Sequence, residues 1–236
     1  MEDCIMLKSK ELRAKAWNSL KSKYWMAFIV VLVLGLLASL GTNLVTTAQS
    51  MTEITKMVDP SEMDSIIEAG AALISGAAAV LSIVGLLISI FVGNAATVGL
   101  SHYFIKNTDS KPSFADAFWG YKVKYRRNIG TLLLMTIKTV LWGLLFIIPG
   151  IIKSYEYAII PYILADDAEI SSKDAFKKAK EMMKGNKWRL FKLNFSFIGW
   201  GLLCVLTFGV GIIFLIPYVN AANAEFYVEL KNKQIS

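Results

Sequence analysis

Lys138, Lys153, Glu156 and Glu225 each stand inside a stretch that is otherwise apolar enough for hydrocarbon. A charge in hydrocarbon is costly unless paired or hydrated, so each marks either an ion pair between neighbouring helices or the wall of a polar path. Lys153, close to the end of its stretch, has the further option of snorkelling to the interface. Asn43, Asn94, Asn194, Asn220 and Asn223 pose the same choice without charge: they line a polar pocket or tie helices together by hydrogen bonds. No Ser/His/Asp set, phosphate loop or carboxylate pair at helical spacing accompanies them, so no catalytic residues are assigned and an enzyme is the weakest of the readings. His102 is the one histidine and has no cysteine pair near it, and Cys4 and Cys204 each stand alone. A metal site, a cofactor and a disulfide framework are therefore not expected.

The elements that position these residues follow from composition. The chain of 236 residues is 55% hydrophobic with a mean hydropathy of +0.51, above the roughly 45–50% apolar content of soluble domains. A net charge of +7 raises nucleic acid as a partner. The positive residues sit in short blocks beside long apolar runs, however, where they meet anionic lipid headgroups and set topology, so nucleic-acid binding is not expected.

The expected architecture is an all-α polytopic transmembrane helix bundle, a single membrane domain over 1–236 with about six spans: 25–47, 69–104, 129–148, 151–165, 192–208 and 212–230. Residues 1–24, where Leu12, Ala16, Trp17 and Leu20 recur at helical spacing among lysines, read as a basic interfacial helix. The run 69–104 exceeds one perpendicular span and must tilt or bend, with Gly93-Asn94 as the break. Turns are expected at Pro149-Gly150 and at Gly209-Val210-Gly211. Loop 49–69 holds Glu53, Asp59, Glu62, Asp64 and Glu68 against Lys56, whereas loops 101–128 and 166–190 are rich in lysine and arginine. That asymmetry places both termini on the cytoplasmic side.

Three surfaces stand out as places for partners. Gly85, Ser89 and Gly93 recur every four residues on one helix face, the pattern that lets backbones approach closely in lipid, either within the bundle or in a homodimer. Ser113-Phe114-Ala115-Asp116 has the form of a capping box and opens an expected amphipathic helix over 112–127 with Phe114, Ala117, Phe118, Tyr121 and Tyr125 on one face. A second such helix is expected over 171–184, capped by Ser171, with Ala175, Phe176, Ala179, Met182 and Met183 on one side and lysines on the other. Phe114, Phe118, Tyr121, Phe176, Met183, Lys177 and Lys178 are thus the candidates for contact with the lipid interface.

The stretch from Ser154-Tyr155 through Tyr162-Ile163-Leu164-Ala165-Asp166, Met183-Lys184-Gly185-Asn186-Lys187-Trp188, Leu193 to Trp200 and Pro217-Tyr218 to Ala224-Glu225-Phe226-Tyr227 resembles the bacterial integral membrane proteins grouped as domain of unknown function 975. Lys10-Glu11-Leu12-Arg13-Ala14 fits the same pattern. The resemblance implies a polytopic protein of a bacterial cytoplasmic membrane and brings no activity and no catalytic residues. More loosely, the Pro-Gly hairpin and the Lys-Gly-x-x-Trp segment look like the membrane domain of some glycerophosphodiester phosphodiesterases. No phosphodiesterase domain is present here, so that activity does not carry over.

The first functional reading is a non-catalytic module that binds lipid, anionic by the charge of its loops, or another membrane protein. The alternative is a small transporter or efflux component built around Lys138, Glu156 and Glu225. A membrane enzyme acting on lipid headgroups comes third.

Overall fold

The computed structural model describes residues 7–57, 65–206 and 209–235. Cys4, and Asp59, Glu62 and Asp64 of the acidic loop, lie outside the described residues, as do the last two residues of the expected span 192–208. Every regular element among the described residues is helical. Five helices are long and apolar enough to cross a membrane: Ser9–Lys56, Ala69–Asp109, Tyr125–Leu145, Lys187–Leu206 and Gly211–Gln234. Contacts divide the chain into two compact units, Gly35–Asn94 and the pair Met1–Leu34 with Ala95–Ser236.

The Gly35–Asn94 unit contains most of α2 (Tyr24–Lys56) and all of α3 (Ser65–Ile88). Large side chains such as Leu36, Leu73 and Leu86 point outward, while Ala48 and Ala78 are buried. A Cβ on Gly41 would fall 2.3 Å from the Gly85 carbonyl oxygen and 2.3 Å from Ser89 Oγ, so the two backbones touch through small residues. The Gly85 and Ser89 face is therefore covered by α2 of the same chain, whereas a Cβ on Gly93 would meet Ala38 Cβ at an ordinary 3.9 Å. The hydroxyls of Thr42, Thr47 and Thr52 donate to carbonyls of their own helix at 2.9, 2.9 and 3.0 Å, which satisfies them without water. Where a break was expected at Gly93-Asn94, the helix instead widens into one π turn over Ser89–Gly93 and continues as α4 (Asn94–Asp109).

In the larger unit, α1 (Ser9–Leu20) does not lie free at an interface. Its stripe of Leu12, Ala16 and Leu20 is buried, and it runs along α12 (Val210–Ile235). Tyr218 Oη donates to the Arg13 carbonyl (3.2 Å), Lys15 Nζ lies 2.9 Å from Glu225, and the Leu7 amide donates to Glu229 (2.9 Å). A stripe at four-residue spacing suits a lipid surface and another helix equally well, and here α12 supplies the covering surface.

The segment 112–127 is not one amphipathic helix. The Ser113 capping box forms, with the Ser113 amide donating to Asp116 at 2.7 Å, but it opens only a short 3₁₀ turn, Phe114–Phe118. One α turn follows, α5 (Trp119–Lys122), and then Val123 is extended and Lys124 adopts φ 46° before α6 (Tyr125–Leu145) begins. The cause is a close approach: Cβ atoms on Gly99 and Gly120 would fall 2.0 Å from the Ala117 and 2.2 Å from the Ala95 carbonyl oxygens. Packing on α4 dictates the path. Burial raises the Asp116 carboxyl, and the hydrogen bonds from Lys106 and the Ser113 amide outweigh it, holding the group below its ordinary 3.8.

The expected span 151–165 is also corrected. The chain turns at Phe146, which is extended, and α7 (Ile147–Tyr157) starts before Pro149-Gly150. Pro149 sits in the first turn of α7, where a missing N–H leaves nothing unpaired. Gly150 lies against Gly143, so α7 packs closely back along α6. The helix stops at Tyr157 and restarts as α8 (Ile160–Asp166), because Pro161 has no N–H to continue the ladder. Neither piece alone is long enough to cross hydrocarbon, at about 1.5 Å per residue.

The helix expected over 171–184 does form, as α9 (Ser172–Met182), with Ser171 Oγ accepting the Asp174 amide at 3.1 Å. Its apolar face is not lipid-facing. Ala175, Ala179, Met182 and Met183 are buried in the unit's core, and Phe176 packs edge-on against Tyr157 (5.2 Å). Lys177 stays exposed and Lys178 half-exposed. The remaining elements are α10 (Lys187–Phe195) and α11 (Ile198–Leu206), which lead into α12.

Candidate functional site

The charged residues singled out from the sequence do not converge. Glu156 is 4% exposed and is gripped by Lys153 at 2.7 Å and by Lys187 of α10. Glu225, at 1% exposure, has Lys15 beside it. Lys138 sits over the Phe176 ring at 3.8 Å, a cation–π contact that clamps α9 to α6. Glu156, Glu225 and Lys138 are thus each met by a partner on another element, and Lys153 by Glu156 of its own helix.

The asparagines behave differently. Asn194, Asn220 and Asn223 come together around a cavity of about 220 Å³. Thr97, Leu100 and Ser101 reach it from one face of α4, and Leu190 and Asn194 from successive turns of α10. Asn220, Asn223 and Phe226 line it from α12, while Ala158, Ile159, Pro161 and Tyr162 line it at the break between α7 and α8. The lining contains no charged side chain. Ser101 and Asn220 donate to carbonyls of their own helices (Thr97 and Ile216, both 2.9 Å), and the Asn223 amide oxygen is buried with no hydrogen-bond partner. Burial raises the Tyr162 phenol, which keeps it neutral. The cavity therefore offers uncharged hydrogen-bonding groups on an apolar wall, suited to a neutral hydroxyl- or amide-bearing group and hostile to an ion. Asn43 and Asn94 are not among its lining residues.

The interfacial candidates divide likewise. Phe114, Phe118, Tyr121 and Tyr125 still form a ladder of rings, 5.5, 6.1 and 6.4 Å apart, although no single helix carries them. Phe114 and Lys177 are exposed, whereas Phe118, Tyr121 and Phe176 are half-buried and Met183 is wholly buried. Among the described residues no group of His, Cys, Asp and Glu side chains is arranged to hold a metal ion.

Several structural keystones carry little advance signal in the sequence. Arg127, legible only as a loop charge, donates to the carbonyls of Leu164, Asp167, Ala168 and Ile170 and to Asn128 Oδ1. Arg189 meets both oxygens of Glu229 (2.8 and 3.0 Å) and the Leu7 carbonyl. Asp166 accepts from Tyr227 (3.0 Å) and Lys231 (2.7 Å). For Asp166 the Ala165-Asp166 pair of the resemblance was a pointer. His102 has Nδ1 2.9 Å from the Ala165 carbonyl oxygen and its ring stacked on Trp119.

Comparison with known proteins bears on the segment that contains three of the cavity's four walls and most of these ties. No curated protein and no solved structure matches the chain, so the looser likeness to phosphodiesterase membrane domains gains no support. Residues 143–234 match one family, described as "Protein of unknown function (DUF975)". The five apolar helices make this a multi-pass membrane protein, and its segment from 143 to 234 is similar to that family of unknown function.

Proposed function

We propose that the protein is a non-catalytic module of a bacterial cytoplasmic membrane that holds the neutral, hydrogen-bonding headgroup of a lipid in the Asn194–Asn220–Asn223 cavity. The observation that carries this reading is the convergence of amide and hydroxyl groups, with an unpartnered Asn223 oxygen and no charge, on a half-apolar hollow. The α9 lysines support it in a second way. With the apolar face of α9 already buried, Lys173, Lys177 and Lys180 remain exposed and attract anionic headgroups by charge alone, which supports a cytoplasmic position for the α9 end. A transport path through Lys138, Glu156 and Glu225 draws less support, since each of these is already engaged.

The test is extraction with surrounding lipid in a detergent-free polymer, followed by mass spectrometry of retained lipids. The parent chain should enrich a neutral lipid over the bulk membrane. Asn223→Leu should lose that enrichment, and Lys177→Gln should keep it while retaining less anionic lipid. Identical lipid profiles for the parent and Asn223→Leu would overturn the reading.

A further inference from the structure

The hairpin α6–α7 and the hairpin formed by α10–α11 with the start of α12 share a pattern that length and composition do not reveal. In each, the outward-facing apolar surface is concentrated at the tip, Trp188 at the start of α10 being exposed apart from it. On α6–α7 it runs from Leu134 to Ile152, with Leu144, Phe146, Ile147 and Ile148 at 70–79% exposure. On the second hairpin it runs from Phe195 to Leu206 and resumes over Ile212–Ile216. In both cases the first arm is roughly twelve residues, about 18 Å, and the second roughly six, about 9 Å. A hydrocarbon core of about 30 Å needs roughly twenty apolar residues in each arm.

Directly behind each tip the polar groups begin. On the first hairpin Lys138 lies about one turn inside the start of the exposed run on α6, over the Phe176 ring, and Lys153 and Glu156 follow Ile152 on α7. The second is closed by the Arg13 guanidinium on the Ser196 carbonyl (3.3 Å) and by Tyr218 on the Arg13 carbonyl. Exposed Lys192 lies one turn behind Ser196. The bases are tied together, since Glu156 binds Lys187 and Tyr155 packs on Phe191 (5.9 Å). The order of these pairs, Tyr155 with Phe191 and Glu156 with Lys187, fits an antiparallel α7 and α10 with both tips pointing the same way. If either hairpin crossed the bilayer completely, Lys153, Glu156 and Arg13 would sit near its midplane, where charge is most costly.

We propose that both hairpins enter the membrane without crossing it: they are paired wedges in the acyl-chain region of one leaflet, with their charged bases at headgroup level. Phe146 and Leu206 then lie near the bilayer centre, and the turn at Phe146 never reaches the opposite surface. The partner of this surface is the hydrocarbon of a single leaflet, and the conclusion is independent of what the cavity binds.

The experiment uses the full chain with Cys4→Ser and Cys204→Ala, carrying in turn Phe146→Cys, Leu206→Cys or, for reference, Lys177→Cys. All three positions are exposed, so the substitutions leave the packing intact. Each variant is treated with a membrane-impermeant maleimide in right-side-out and in inverted vesicles. It is then labelled in detergent with an environment-sensitive fluorophore, returned to liposomes and quenched by lipids brominated at different acyl depths. The expected result is labelling of Lys177→Cys from one face only, no labelling of Phe146→Cys or Leu206→Cys from either face above the cysteine-free chain, and strongest quenching by bromines near the chain ends. Maleimide labelling of either tip from the face opposite Lys177, or strongest quenching by shallow bromines, would overturn the proposal. Labelling from the same face as Lys177 would overturn it equally, by showing that the tips do not insert.

Discussion

Arg127 shows how much one side chain can hold. The chain after α8 leaves its helix with carbonyls that have no helical donor, and the planar fork of one guanidinium meets four of them while Asn128 fixes its far edge. Asn128 in turn donates to the carbonyls of Gly120 and Val123 (3.2 and 2.8 Å), so the start of α6, the end of α8 and the loop before α9 form one knot. A lysine has the charge but not the fork. Arg127→Lys should therefore lower stability by about 3 kcal/mol, the scale of losing charge-assisted hydrogen bonds and stranding their acceptors. Thermal unfolding of the detergent-solubilised protein reads this directly, and an unchanged midpoint would show that the knot bears little of the fold.

At the scale of elements, close backbone approach decides more than propensity does. Gly99 and Gly120 bring α4 onto the 114–122 segment so tightly that neither position has room for a methyl group. Gly99→Ala should force the Ala117 carbonyl aside and cost about 1–3 kcal/mol, the usual range for overpacking. Gly130 in α6 is the matched control, because nothing lies within 4 Å of its built Cβ. Gly130→Ala should be neutral or stabilising by up to about 1 kcal/mol, through the lower entropy of the unfolded chain. If the two variants melt alike, the close contact is not what sets the path of 112–127. The same logic explains the broken helix 151–165, where Pro161 interrupts the ladder and the break becomes one wall of the cavity.

For the molecule as a whole, the main feature is a division of labour along the helices of the larger unit. Their polar ends enclose a dry core of residues such as Tyr103, Phe104, Met183 and Phe226, and their other ends present leucine, isoleucine and phenylalanine outward. The beginning and end of the described chain meet at the polar end, where the Leu7 amide donates to Glu229 and Arg189 joins both. Lys10→Cys and Asn232→Cys should consequently be labelled by an impermeant maleimide from the same membrane face, each in the cysteine-free background. Labelling from opposite faces would contradict the Leu7–Glu229 contact in the membrane-embedded protein.

By itself the sequence determined the solvent this chain lives in, its all-helical class and the family that residues 143–234 resemble. Those properties depend on composition and on runs of twenty or so residues, which neighbours cannot change. It also marked the Ser113 and Ser171 caps, which depend on contacts three residues apart, and the small-residue face at Gly85 and Ser89. Only the tertiary structure decided which surface each apolar stripe meets. Leu12–Leu20 and Ala175–Met183 have the same periodicity whether they rest on lipid or on protein, and other helices cover both, α12 from the far end of the chain in the first case and chiefly α7 and α8 in the second. Likewise Lys138 and Glu156 read as candidates for a path until Phe176, Lys153 and Lys187 are seen beside them. The three asparagines gain their meaning from α4, α10 and α12 arriving at one hollow, because pairing and enclosure are properties of distance in space, which spacing along a chain does not encode.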